Sequence, residues 1–155
     1  MSDHEQRILE IERVFDLPRE KLFAAWSSAK HLSQWYGPNG FEVPDCIVDF
    51  RPGGALSITM RAPNGMEMTI QGRFVEIVDN ERIVFETANP GPDGVVKVKA
   101  RSTLTFEDHE GGTKFNLHEV YTILDPSGAI PIEMATQGWN QAFDKMGAFA
   151  GSLGS

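Results

Sequence analysis

The chain has 155 residues, of which 41% are hydrophobic and 23% charged, as is usual in globular domains. Its 14 basic and 22 acidic residues give a formal net charge of −8, which disfavours binding to nucleic acids and anionic membranes. This length fits a single domain over residues 1–155 with a core that needs no disulfide.

Alternation of apolar and polar residues near the start predicts a β-strand over residues 7–16. One side of this strand carries Leu9, Ile11, Arg13 and Phe15. Pro18 favours the start of a helix, since the first helical N–H has no intrahelical partner to lose. Leu32 and Trp35 predict a second short helix after Ser28.

The middle of the chain has the pattern of an antiparallel meander of six strands. Turn-forming pairs such as Pro52-Gly53 and Asn64-Gly65 separate its segments. The predicted strands are residues 41–50, 55–61, 66–78, 82–87, 95–107 and 113–124. Such a sheet has one apolar face, which another element must cover.

The last segment changes to helical spacing, with apolar residues at steps of three and four from Met134 to Leu153. This pattern predicts an amphipathic helix of about 20 residues, the only predicted element long enough to cover the sheet. The predicted fold is therefore α+β, with a curved antiparallel sheet wrapped around the C-terminal helix. Because a curved sheet cannot press flat on a cylinder, we expect a gap between them, gated by the short helices and residues 37–40.

Four spaced segments carry a family resemblance: residues 11–26, Trp35-Tyr36-Gly37-Pro38, Asp49-Phe50-Arg51-Pro52-Gly53-Gly54 and Gly138-Trp139. Together they resemble the START-like SRPBCC superfamily, and within it the group named after the activator of heat-shock protein 90 ATPase homologue. The resemblance extends over residues 8–153. It implies a helix-grip fold, as in START lipid-transfer domains and the birch pollen allergen, with a hydrophobic cavity. It brings no family-wide catalytic motif.

Aromatic and methionine side chains are the candidates for the lining of this cavity, with ordinary core packing as the alternative for each. Methionine adapts to irregular shapes, and tryptophan supplies an apolar wall with one N–H donor. The candidate ligand-binding residues are Trp35, Tyr36, Phe41, Met60, Met68, Phe85, Glu119, Tyr121, Trp139, Phe143 and Met146.

Glu119 and Tyr121 lie on the same side of a predicted strand as Phe115 and Leu117. If that side faces inward, the carboxyl enters an apolar space, so its pKa rises or it needs a partner. Arg13 is a candidate partner, and the pair would orient the polar head of a ligand. The alternative is a register one residue off, which would place Glu119 in water.

Metal and nucleophile chemistry have little support in the sequence. The four histidines form no HExxH site, and Cys46 is the single cysteine. No neighbouring His or Arg activates Cys46, which favours an inert buried thiol, and no GxSxG motif occurs. We therefore expect no metal, no cofactor, no catalytic residue and no internal disulfide.

No apolar stretch has the length of a secretory signal core or a membrane span, so we expect a cytoplasmic protein without membrane insertion. The predicted function is non-catalytic binding of a hydrophobic or amphipathic small molecule, lipid-like or aromatic. One alternative is a cyclase- or hydrolase-type enzyme that uses Glu119, Tyr121 or His118. The other, implied by the name of the resembling group, is a stress-related protein that contacts a chaperone ATPase.

Overall fold

The computed structural model describes residues 5–90, 94–128 and 131–153. The strands are β1 (Glu5–Phe15), β2 (Glu42–Val48), β3 (Ala55–Arg61), β4 (Glu67–Val78), β5 (Arg82–Pro90), β6 (Val96–His109) and β7 (Gly112–Ile123). The α-helices are α1 (Arg19–Ala24), α2 (Ala29–Leu32) and α3 (Ile132–Gly151), and a 3-10 turn spans Pro126–Gly128. In the described ranges, no helix has the length and apolar character that would let it cross a membrane.

The strands form one antiparallel sheet in the order β1-β7-β6-β5-β4-β3-β2. From β2 onward, each strand pairs with the next one in the chain, as a meander requires, and β1 pairs with β7. The two short helices carry the chain from β1, at one edge, to β2, at the other. The predicted α+β architecture, with its curved sheet and long C-terminal helix, is confirmed.

The observed elements follow the predicted ones closely, with two informative differences. Pro18 is the residue before α1 rather than its first helical residue, and it has an extended backbone with ψ of 145°. Strand β5 runs three residues past its predicted end at residue 87, because β6 pairs with it there; Ala88, for example, faces Lys99. This pairing partner lies eleven residues away in the chain and was not visible in the local pattern.

The end of the fold beside the C-terminal half of α3, which we call the closed end, is packed with aromatic rings. Phe115 of β7 contacts Phe143 of α3 with ring centroids 4.8 Å apart, and it contacts Phe106 of β6 at 5.2 Å. All three rings have at most 1% of their surface exposed. The C-terminal half of α3 therefore presses directly on the sheet. The N-terminal half does not, and this difference positions the site.

Candidate ligand-binding cavity

A cavity of about 370 Å³ lies between the N-terminal half of α3 and the open end of the sheet. Its walls are formed by the start of β1, the end of β7, the start of β6 and the β3–β4 hairpin. The volume is within the range of about 300–1,000 Å³ that small-molecule pockets occupy. This cavity lies where the sequence predicts a gap between sheet and helix, beside the N-terminal half of α3.

Seven of the eleven candidate residues lie on the cavity wall. They are Tyr36, Phe41, Met60, Met68, Glu119, Tyr121 and Trp139. Two of them, Met60 and Met68, face each other across the β3–β4 pairing, so their flexible side chains form one side of the opening. Met68 is 40% exposed, and Met134, on the first turns of α3, is 62% exposed.

The other four candidates do not line the cavity, which corrects the sequence interpretation. Trp35, Phe85, Phe143 and Met146 are at most 2% exposed and belong to the core. Trp35 packs edge-on against Trp26 at 4.7 Å and donates its indole N–H to the carbonyl oxygen of Ala25 at 3.0 Å. Helical spacing alone did not distinguish the half of α3 that touches the sheet from the half that stands away from it.

Thirteen further wall residues were not among the ligand-binding candidates, and most of them have small or aliphatic side chains that carry no chemical signal. They are Arg7, Gly37, Pro38, Ile70, Thr87, Val98, Ala100, Ile123, Gly128, Met134, Ala135, Gly138 and Ala142. Only Ile123 had a usable signal, since it follows Glu119 and Tyr121 at a spacing of two on the same strand. Ala100 and Arg7 join the wall because both pair with Tyr121 in the sheet.

Glu119 is the buried carboxyl of this wall, with 3% of its surface exposed. Its Oε1 atom accepts a hydrogen bond from the indole Nε1 of Trp139 at 3.0 Å, and Ser102 Oγ donates to Oε2. Burial raises the pKa of Glu119, although hydrogen bonds from Ser102, Tyr121 and Trp139 act in the opposite direction. The predicted inward register is thus confirmed.

Arg13 is not the partner of Glu119, contrary to the sequence interpretation. It pairs with Phe115, whereas Leu9 is the β1 residue opposite Glu119. Its guanidinium instead reaches α3, where it donates to Asp144 Oδ1 at 2.6 Å and to Asn140 Oδ1 at 3.2 Å. Arg13 lies four residues along β1 from Leu9, the residue opposite Glu119. The carboxylate of Asp144 on α3 is nearer to its guanidinium.

Two tyrosines add hydroxyl groups near the buried acid. Tyr36 packs its ring edge-on against Trp139 at 5.7 Å, and Tyr121 lies two residues beyond Glu119 on the same face of β7. Burial raises the pKa of both phenols, and the charge of Glu119 raises it further. The cavity therefore has a polar inner wall made of one carboxyl and two neutral phenols.

The loop after α2 borders the opening and is fastened to α3. Lys145 Nζ donates to the carbonyl oxygen of Pro38 at 3.1 Å, and the backbone N–H of Asn39 donates to Gln141 Oε1 at 3.0 Å. Gly138 lies opposite this loop, since a Cβ there would stand 3.4 Å from Pro38 Cγ.

The remaining reactive candidates lie away from the cavity. His118 is on the outer face of β7, where its Nδ1 is 3.4 Å from Glu10 Oε1. Cys46 is half-buried, and burial raises the pKa of its thiol to about 11, with Asp45 adding to the effect. Within residues 5–90, 94–128 and 131–153, no three His, Cys, Asp or Glu side chains gather in a possible metal site.

Comparison with protein families gives one match, which covers most of the chain. The family described as Activator of Hsp90 ATPase homolog 1-like protein matches residues 16–151. The chain belongs to this family. The resemblance carried by the four sequence segments is therefore confirmed. Comparison with curated proteins gave no match.

Solved structures share the fold of this chain. A protein from Rhizobium leguminosarum is 27% identical, with a TM-score of 0.83 and 95% of each chain covered. A protein from Chromobacterium violaceum is 24% identical, with a TM-score of 0.80, covering 92% of this chain and 96% of that one. Folds of this START-like kind commonly bind hydrophobic ligands.

Proposed function

We propose that this chain binds a hydrophobic or amphipathic small molecule, lipid-like or aromatic, between the sheet and α3, without a chemical step. The supporting observation is the cavity of about 370 Å³, whose wall is mostly apolar around the buried Glu119. Transfer of apolar ligand surface from water would drive binding, at about 25 cal/mol per Å². The seven candidate residues on the wall are the proposed contacts.

The proposal predicts that Trp139 reports on ligand binding. This side chain lines the cavity, whereas Trp26 and Trp35 are packed in the core and at most 2% exposed. Fatty alcohols, fatty acids, sterols and aromatic polyketide-like compounds would be titrated against the protein. A bound ligand should change the tryptophan fluorescence and raise the melting temperature, since it stabilises only the folded state.

A pair of matched variants makes this test specific to the cavity. The fluorescence change should disappear in Trp139→Phe and persist in Trp35→Phe, because only the first side chain touches the ligand. If no compound of any class alters the fluorescence or the melting temperature of the unmodified protein, the binding proposal is wrong. A fluorescence change that Trp35→Phe alone abolishes would place the ligand elsewhere.

A second candidate, an enzyme of cyclase or hydrolase type, is favoured by one observation. Glu119 has a raised pKa and two phenols beside it, which is the kind of setting used in general acid–base chemistry. Co-purified or added ligand would be followed by mass spectrometry. Conversion by the unmodified protein, but not by Glu119→Gln, would support catalysis; an unchanged ligand mass would support binding alone.

A further inference from the structure

The charges on the cavity wall are unevenly placed. Among the described wall residues, a carboxyl occurs at Glu119 and a guanidinium at Arg7. Glu119 is 3% exposed, whereas the Arg7 side chain is 33% exposed and its Nε lies 2.6 Å from Glu5 Oε2. The residues that pair with Glu119 in the sheet are Leu9 and Ser102, neither of them a cation. Arg7 pairs with Tyr121, and its guanidinium already has Glu5 as an acidic partner.

The carboxyl of Glu119 is also held in place. Ser102 bonds to one of its oxygens and Trp139 to the other, so the group cannot turn toward a ligand without losing a partner. Tyr121 also hydrogen-bonds to Glu119, so its hydroxyl can meet a ligand as an acceptor, beside the hydroxyl of Tyr36. A phenol hydroxyl both donates and accepts, so it can pair with an alcohol, a phenol or a carbonyl.

We propose that the inner end of the cavity selects ligands whose buried end is an uncharged oxygen, either hydroxyl or carbonyl, and discriminates against carboxylates. This inference rests on the proposed binding function and specifies its ligand class. A neutral oxygen exchanges its hydrogen bonds with water for bonds to Tyr36 and Tyr121. A carboxylate would instead lose its hydration beside Glu119 with no cation to pair with, which is costly in an apolar space.

A matched set of three ligands tests this selection: para-hexylphenol, para-hexylbenzoate and hexylbenzene. They share one apolar body and differ in the group at one end. Their affinities would be measured by titration calorimetry with the unmodified protein at about pH 8, where a phenol is neutral and a benzoate charged. We expect the phenol to bind at least about 10-fold more tightly than the benzoate, and more tightly than hexylbenzene.

Variants then locate the selecting group. Tyr121→Phe should weaken phenol binding about 5- to 10-fold and change hexylbenzene binding less than about 2-fold, because only the phenol uses the hydroxyl. Tyr36→Phe is a second variant of the same kind, should the first fail to fold. The benzoate should also gain affinity as the pH falls toward its pKa, while the phenol should not.

The outcomes separate this inference from the binding function. If the benzoate binds as tightly as the phenol, the selection is wrong but binding stands; loss of benzoate binding in Arg7→Gln would then assign the ligand's charged end to the opening. If hexylbenzene binds with the same affinity as the phenol, the hydroxyls of Tyr36 and Tyr121 do not select the ligand. The same conclusion follows if Tyr121→Phe and Tyr36→Phe both leave the affinity for the phenol unchanged. If none of the three binds, the selection is wrong, and the binding function falls with it only if the fatty alcohols, fatty acids, sterols and polyketide-like compounds also fail to bind.

Discussion

Trp139 donates its indole N–H to Glu119 at 3.0 Å and thereby joins α3 to β7 across the floor of the cavity. The bond is made where the helix stands away from the sheet, so it replaces the direct apolar packing seen at the closed end. A buried hydrogen bond of this kind fixes the distance between the two walls. A polar contact thus joins the two walls of the cavity, beside the ring contacts of Trp139 with Tyr36 and Phe143.

The first prediction concerns pH. Because burial raises the pKa of Glu119, the folded state binds more protons than the unfolded state between the unfolded value, about 4.3, and the raised folded value. The stabilising contribution is complete below that interval and is lost as the pH rises through it. Wild-type stability should therefore fall, relative to Glu119→Gln, by up to about 1.4 kcal/mol per pH unit.

Thermal or urea unfolding of both proteins from about pH 4 to pH 8 would measure this difference. Glutamine is the matched substitution, because its oxygen can accept from Trp139 and its amide can donate to Ser102. Other titrating groups cancel in the difference between the two proteins. A stability difference that is constant with pH, or that shifts in favour of the wild type as the pH rises, would contradict the raised pKa.

The second prediction concerns Trp139 itself. Trp139→Phe keeps a ring against Phe143, whose centroid is 5.3 Å away, but removes the donor to Glu119. We expect a loss of about 1–3 kcal/mol in unfolding free energy. A double-mutant cycle with Glu119→Leu, which leaves no acceptor for the indole N–H, would isolate the bond from the packing change. A coupling energy near zero would show that the bond does not hold the two walls together.

The third prediction concerns the loop at the opening. Lys145→Met removes the donor to the Pro38 carbonyl, so the loop should separate from α3 more often and ligand exchange should become faster. We expect association and dissociation rates to rise together by about 3- to 10-fold in stopped-flow fluorescence, with little change in affinity. Lys99→Met is the control, since Lys99 is exposed on β6 and makes no described contact with the loop. Equal rates in both variants would rule out gating by this loop.

The fourth prediction compares two adjacent glycines in the turn before β3. A Cβ at Gly54 would lie 1.9 Å from the Asp49 carbonyl oxygen, so Gly54→Ala should cost at least about 3 kcal/mol. Gly53 has a φ of 82° but open space around it, so Gly53→Asn should cost about 1 kcal/mol or less. Chemical denaturation would measure both. Similar losses in the two variants would show that backbone conformation, not space, governs this turn.

Much of the fold was predictable because its signals are local. Two-residue alternation located β1 and β7, and the same alternation correctly turned Glu119 inward with Phe115 and Leu117. The spacing of apolar residues predicted α3 as a helix of the observed length. Each of these patterns indicates which face of an element is buried, because the residues of one face recur at a fixed spacing in the sequence.

The partner of Glu119 was not predictable in the same way. Arg13 shares its inward side with Leu9, but the β1–β7 register places Arg13 opposite Phe115 instead. Ser102, which bonds to Glu119, is 17 residues earlier in the chain and is an ordinary polar residue in a strand. Cross-strand neighbours depend on register, and register depends on how all the strands pair.

The sequence by itself indicated the elements, their order, the inward sides of β1 and β7 and the presence of an acid among apolar residues, because these follow from local periodicity and turn chemistry. Only the tertiary structure decided where α3 leaves the sheet, and hence that Trp139 borders the cavity while Phe143 fills the core. The two residues are one helical turn apart and carry the same apolar signal. What separates them is the curvature of the sheet, which arises from all seven strands together.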